Sequence, residues 1–204
     1  MAKMGIFIGT AGGTSMKVAD ALVEAFDIDE DDVINMEDDF DDVEDQMLEY
    51  DVLFIGSSTW GQGDVHFSWV DPVLEIEDDE IDFSGKTVAF FGAGDTKKHG
   101  EHFCSALGKL HKTFTSAGAK PVGFIPKDGY AYEFSMAEID GKLCGCAIDE
   151  HNESDKTDER IETWISALKA EMDAGRPVLY AGFGGGGGHA FVCDGYDAND
   201  FFHI

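Results

Sequence analysis

The chain has 204 residues, enough for one domain with a full hydrophobic core, and its 43% hydrophobic content is that of a globular protein. Fourteen basic residues against forty-two acidic ones give a formal net charge of −28, which repels nucleic acid and anionic lipid and favours basic protein surfaces. Apolar runs fall well short of the roughly 20 residues that a bilayer span needs, and Met1-Ala-Lys-Met-Gly leads into a strand-like segment rather than a signal sequence. The expected compartment is therefore the cytoplasm. Acidity on this scale fits a solvated surface or a saline habitat, and composition leaves both open.

In chain order, "MGIFIG" (4–9) reads as a buried strand, and Val18, Ala19, Leu22, Val23 and Phe26 then mark one face of a helix over 16–26. "DVINM" (32–36) is a short strand and "DVLFIGSS" (51–58) a fully apolar one. "WVDPVLEI" (69–76) reads as a helix that tolerates Pro72 only in its first turn. "TVAFFGAG" (87–94) is a fourth strand, followed by a helix with Phe103, Leu107, Leu110 and Phe114 on one side. "KPVGFI" (120–125) begins a fifth strand, which "LCGCAI" (143–148) resumes after a polar, aromatic segment (126–142). Ile161, Trp164, Ile165, Leu168 and Met172 form a last amphipathic helix with acidic residues in its first turn. Cys104, Cys144, Cys146 and Cys193 lack the C-x2-C spacing of a zinc or redox site and are expected to be buried free thiols.

Strands that are apolar on both faces and alternate with helices predict a doubly wound α/β fold around a parallel sheet. Ligands of such sheets sit at the carboxyl ends of the strands, so the loops after strands one, three and four are the candidate site. "GTAGGTSMK" (9–17) carries small hydroxyl and glycine residues into a helix N-terminus, a seat for an anion. It lacks the lysine of a nucleoside-triphosphate P-loop, and G-x-G-x-x-G is absent as well, which suits a bound phosphomonoester. "SSTWGQGDVHFSW" (57–69) places Trp60 among glycines where it can stack on a planar ligand. "FGAGDTKKHGEHF" (91–103) combines a glycine turn with Asp95 and His99.

Together with "PKDGYAYEFS" and "LCGCAIDEHNESDKTDERIETW", the loop sequences "GTAGGTS", "STWGQGD" and "FGAGD" resemble the long-chain flavodoxins, in family order and spacing over residues 1 to about 172. The resemblance implies a five-stranded sheet of order 2-1-3-4-5 with the fifth strand split by an insertion, and a low-potential one-electron carrier that holds FMN non-covalently. It implies contacts to FMN from Thr10, Ala11, Gly12, Gly13, Thr14 and Ser15 in the first loop. Ser58, Thr59, Trp60, Gly61 and Gly63 would contribute from the second, and Gly92, Ala93, Gly94, Asp95 and His99 from the third. Gly12 stands where the family carries a hydroxyl, so one side-chain hydrogen bond is missing. His99 falls where a second aromatic, commonly tyrosine, is usual, and imidazole titrates near neutral pH, so the flavin's surroundings are expected to respond to pH. Gly61 lies where family members turn a peptide carbonyl toward the flavin N5, a motion that glycine permits at little cost. Asp64 and Asp95, with the general acidity, would surround the flavin with negative charge and lower its second potential. The implied partners are the basic patches of a flavodoxin or ferredoxin reductase and of acceptor oxidoreductases, met by a monomer. No catalytic residue or metal is expected of such a carrier.

From about Asp173 the sequence changes character. "GRPVLYAGFGGGGGHAFVCDGYD" resembles the histidine segment of streptopain-type (C10) cysteine peptidases, with His189 at the position of the catalytic histidine. No segment upstream resembles the nucleophile region, so this appendage (173–204) is expected to lack peptidase activity and to form at most a loose β-hairpin, poorly ordered beyond about residue 175. The competing readings are a cysteine-peptidase fragment fused to a flavodoxin-like module and an FMN-binding sensor.

Overall fold

The computed structural model describes residues 2–10, 13–37 and 43–173, together with the backbone of 174, 178–184, 187–193, 195–196 and 202–203. Strands β1 (Met4–Gly9), β2 (Val33–Asn35), β3 (Val52–Ser58) and β4 (Thr87–Ala93) form the body of a parallel sheet. Its order is β2-β1-β3-β4-β5, with β9 also paired to β4, which is the predicted 2-1-3-4-5 arrangement. The fifth position is split as expected: β5 (Lys120–Val122) pairs with Thr87–Ala89, and β9 (Gly145–Ile148) pairs with Phe90–Ala93. Residues between them add a small antiparallel sheet of β6 (Ile125–Pro126), β8 (Lys142–Leu143) and β7 (Glu138–Ile139). That sheet was not anticipated, because two-residue strands are too short to show an alternating pattern.

Alternation along each strand sends side chains to both faces, which explains why the strands are apolar throughout. Phe7, Leu53, Ile55, Val88 and Phe90 belong to one buried cluster with Trp69, Leu107, Leu110 and Phe114. These last residues come from the turn before α3 (Val70–Asp78) and from α4 (Ser105–Ser116). On the other face Phe54 meets Phe26 of α1 (Thr14–Phe26) at 5.2 Å, and Phe91 meets Trp164 of α6 (Thr157–Ala174) at 6.5 Å. Burying each such side chain contributes roughly 1.5–3 kcal/mol. Pro72 sits in the first turn of α3, where its missing N–H costs nothing. The short helices α2 (Val43–Met47) and α5 (Glu150–Glu153) leave no periodic signature and were not anticipated.

Cys104, Cys144 and Cys146 are buried free thiols, as expected. Burial pushes the Cys144 and Cys146 thiols up to about 12, and burial, with Cys146 nearby, raises Cys104 well above its ordinary value. They are therefore protonated and unreactive at neutral pH. Among the described residues no helix is long and apolar enough to cross a membrane, and no group of three or more His, Cys, Asp or Glu is placed to hold a metal.

The chain divides into two compact units, Met1–Ile165 and Ser166–Ile204. In the second, β10 (Val178–Gly184) and β11 (Gly187–Cys193) pair antiparallel, with Gly182 opposite His189. β12 (Gly195–Tyr196) and β13 (Phe202–His203) form a second antiparallel pair. The side chains of His189 and Cys193 and the degree of order beyond residue 175 lie outside the described residues.

Candidate functional site

A cleft of about 300 Å³ opens where the carboxyl ends of β1, β3, β4 and β9 meet. It is lined by Thr14 after β1, by Ser58, Thr59, Trp60 and Gly61 after β3, by Ala93, Gly94, Asp95, Lys98, His99 and His102 after β4, and by Glu150 and His151 after β9. The chain leaves β1 for β2 on one side and leaves β3 for β4 on the other, so the strand order reverses between β1 and β3 and leaves a crevice there.

The first loop ends at Gly13, whose φ of 87° lies in the left-handed region that glycine adopts without penalty. Gly13 caps α1 with no side-chain hydrogen bond, and the first turn of the helix carries no acidic residue. The leading amide N–H groups and the positive end of the helix dipole are thus left for an anion. The Ser15 hydroxyl is 1% exposed, and its Oγ finds no hydrogen-bond partner among the described residues. Thr59 Oγ1, at the end of β3, is buried and orphaned in the same way. Leaving a buried polar group unpaired costs about 1–3 kcal/mol. Both hydroxyls are free, among the described residues, to donate to an external acceptor near the helix N-terminus. Thr10 is buried next to this loop, whereas Ala11 and Gly12, and with them the expected missing hydroxyl, lie outside the described residues.

Trp60 is 54% exposed on the cleft wall, and its indole N–H donates to Ser58 Oγ at 2.7 Å, which fixes the ring's tilt. The loop beneath it is a closed turn: Trp60 N–H donates to Asp64 O (2.9 Å), and Asp64 N–H donates to Trp60 O (2.7 Å). Gly61 sits in this turn at φ +49°. Of the described residues expected to contact the ligand, Thr10, Gly13, Ser15, Gly63 and Gly92 do not line the cleft itself; the first three lie in the loop and helix turn around Thr14, which does. A Cβ on Gly63 would come within 2.8 Å of Ser105 Cβ, and one on Gly92 within 2.0 Å of Ser57 O, so both glycines permit close packing behind the site. His99 is exposed on the cleft, with His102 one short turn further on.

The carboxylates near the cleft are held by specific donors, and cationic and imidazole groups share its lining. Asp64 Oδ1 accepts from Lys109 Nζ at 2.6 Å, and that hydrogen bond and charge hold its carboxyl below the usual range. Asp95 is turned inward: Oδ1 accepts from the N–H of Lys98 (2.8 Å) and Lys97 (3.0 Å) and from Asn152 Nδ2 (2.9 Å). Burial opposes its ionisation, but these donors outweigh it and keep Asp95 acidic. Asn152 Nδ2 also reaches Asp149 at 2.9 Å, and Asp149, fully buried, accepts from the Thr96 N–H at 3.0 Å and from the Thr96 hydroxyl. Burial likewise opposes the Asp149 charge, and the Thr96 and Asn152 donors hold its pKa down. Asp95, Asn152 and Asp149 thereby bolt the loop after β4 to the turn after β9. Glu150 is paired with Lys17, and Lys98 and three imidazoles share the lining.

Lys98, His102, Glu150 and His151 line the cleft although the sequence reading did not single them out, and Asp149 and Asn152 position the loop beside them. The available signal was the rule that ligands gather at strand carboxyl ends, which applies equally to "AIDEHN" after the resumed fifth strand.

The flavodoxin family model matches residues 6–164, and a Peptidase C10 family model matches residues 147–204. Flavodoxin 1 of Azotobacter vinelandii is 52% identical over 172 residues, spanning 84% of this chain and 98% of its own length. The flavodoxin of a Picosynechococcus species is 40% identical over 178 residues, with 83% and 97% covered. The solved structure of a Fusobacterium nucleatum flavodoxin bound to flavin mononucleotide superposes with a TM-score of 0.73 at 31% identity, over 84% of this chain and 99% of that one. The sheet order, the split fifth strand, the post-strand cleft and these matches over most of its length establish that the chain belongs to the flavodoxin family.

Proposed function

We propose that residues 1–172 bind FMN non-covalently in this cleft and carry single electrons between a reductase and acceptor enzymes, as a cytoplasmic monomer. The observation that carries the assignment is the pair of buried hydroxyls without a partner among the described residues, Ser15 Oγ and Thr59 Oγ1, with the uncapped N-terminus of α1. A phosphomonoester supplies the acceptor oxygens that both hydroxyls and the helix amides lack.

Bound FMN supplies one-electron chemistry at its isoalloxazine ring. Residues 10 to 15 would hold the phosphate through N–H and O–H donors. Trp60 offers an indole face already oriented by Ser58, and His99 borders the ring from the loop after β4. Gly61, at φ +49°, leaves the following peptide able to turn its carbonyl toward the ring without a Cβ opposing it. The Asp95–Asn152–Asp149 bolt ties the β4 loop to the turn after β9, which would limit the reorganisation of this loop around a bound flavin. The acidic surface steers the carrier to basic patches on its partners in fast, salt-sensitive encounters.

The purified chain should show flavin absorption bands and take up one FMN per chain, and photoreduction should pass through long-wavelength absorbance at half-reduction. A colourless protein that does not bind FMN but labels with a thiol-directed peptidase probe overturns the reading.

A further inference from the structure

The segment from Phe67 to Asp78 is apolar on two sides. Trp69, Pro72 and Ile76 are buried inward, while Phe67, Val70 and Leu74 remain 69%, 46% and 51% exposed. Single exposed apolar side chains are ordinary. These three follow at i, i+3 and i+7 along the turn and α3, so they form one row about 10 Å long. Beside the row, Asp71, Glu75 and Asp78 form a parallel line of exposed carboxylates. No lysine or arginine occurs in the sequence between Lys17 and Lys86.

The row begins close to the cleft, with the buried His66 ring between the two. The Phe67 ring lies 4.3 Å from that of His66, and His66 lies 5.9 Å from Trp60, whose indole lines the cleft. A protein seated on the row therefore abuts the Trp60 edge.

Charge chooses among possible occupants. A second copy would bring the same carboxylates to a face that already carries them, and like charges at close range cost several kcal/mol. A surface with an apolar centre and a rim of Lys and Arg matches both features, in the usual arrangement of an interface core and its polar rim. We propose that Phe67, Val70 and Leu74 form the apolar centre of a docking surface for a redox partner protein that presents an apolar patch ringed by basic residues. The proposal rests on the carrier reading and adds the face on which the partner sits. Acidic residues supply the encounter; the apolar row supplies the lifetime of the complex.

The test uses the FMN-loaded full chain and an NADPH-dependent flavodoxin reductase as the probe. Binding and the second-order rate of reduction are measured for wild type, for Phe67→Ser with Leu74→Ser, and for Glu24→Gln as a control that removes one carboxylate from α1. The double variant should weaken binding about tenfold or more, with FMN affinity and the slope against salt unchanged, while Glu24→Gln stays within about twofold of wild type. An FMN-loaded double variant that binds the reductase as wild type does overturns the proposal, and so does an FMN-loaded wild-type chain that does not bind the reductase at low salt. Self-association of the wild type that the double variant abolishes also overturns it, by making a second copy the occupant. A chain that holds no FMN is recognised from its visible spectrum before any partner is added, and that outcome sinks the carrier reading instead.

Discussion

Replacing Ser15 by alanine removes one buried oxygen and almost nothing else, and its two consequences should have opposite signs. In the protein without cofactor, Ser15 Oγ is 1% exposed at residue level and has no partner among the described residues, so its removal relieves a desolvation cost. The apoprotein should be as stable as wild type or more stable, by up to about 1–3 kcal/mol. With FMN bound, the hydroxyl donates to a charged phosphate, a bond worth about 1.5–3 kcal/mol. Its loss raises the Kd for FMN roughly 10- to 150-fold, at 1.4 kcal/mol per decade. Urea unfolding of the apoprotein measures the first effect, and quenching of flavin fluorescence during titration measures the second. Riboflavin, which has no phosphate, is the internal control, and its affinity should not change. Thr59→Val, which removes the other orphaned hydroxyl at nearly constant shape, should behave alike. The double variant should lose less than the sum if both hydroxyls share one phosphate oxygen. An FMN affinity within twofold of wild type, or an equal loss for riboflavin, would refute the assignment of these hydroxyls to phosphate.

Asp149→Asn keeps one accepting oxygen but turns an NH2 toward either the Thr96 donors or the Asn152 donors, and should cost about 1.5–3 kcal/mol of stability near neutral pH. The folded Asp149 carboxyl is held below its unfolded value, so its contribution is present above the ordinary carboxylate range near pH 4 and is lost as pH falls through the lowered folded value. Wild type and variant should therefore converge in urea stability on acidification, and a difference that persists unchanged at low pH would show that charge is not the cause. Deleting residues 175–204 should leave the Kd for FMN unchanged, because the described residues that line the cleft all lie between Thr14 and His151; a large loss in FMN titration would mean that the tail helps to build the site.

Much of the fold was legible because strand burial on both faces writes itself as unbroken apolar runs. β1 begins and ends where "MGIFIG" does, and β3 and β4 fall within one residue of the predicted bounds. Elements with too few residues for a period, such as α2, α5 and the strands of the small sheet, were invisible for the same reason. In the site, Thr14, Trp60, Gly61, Asp95 and His99 were found because they sit in quotable loops directly after strands. Gly63 and Gly92 occupy the same loops yet pack against Ser105 and Ser57, a distinction that depends on neighbours 42 and 35 positions away. Asp95 lines the cleft as expected, but the three donors that hold its carboxylate, one of them from Asn152, come from residues whose proximity the sequence does not show.

Local chemistry, then, determined what the sequence could show unaided: the alternating strands and helices, the glycine and hydroxyl residues that keep a helix N-terminus open, an aromatic beside a strand end, and a charge of −28 that selects basic partners. These follow from spacing and residue type within a few neighbouring positions. Which hydroxyls lack a partner among the described residues, which donors hold each carboxylate, and that Phe67, Val70 and Leu74 face outward were decided only by the tertiary structure. Such properties depend on what is absent or present around an atom, and chain segments far apart in sequence supply those surroundings only when the sheet brings its strand ends together.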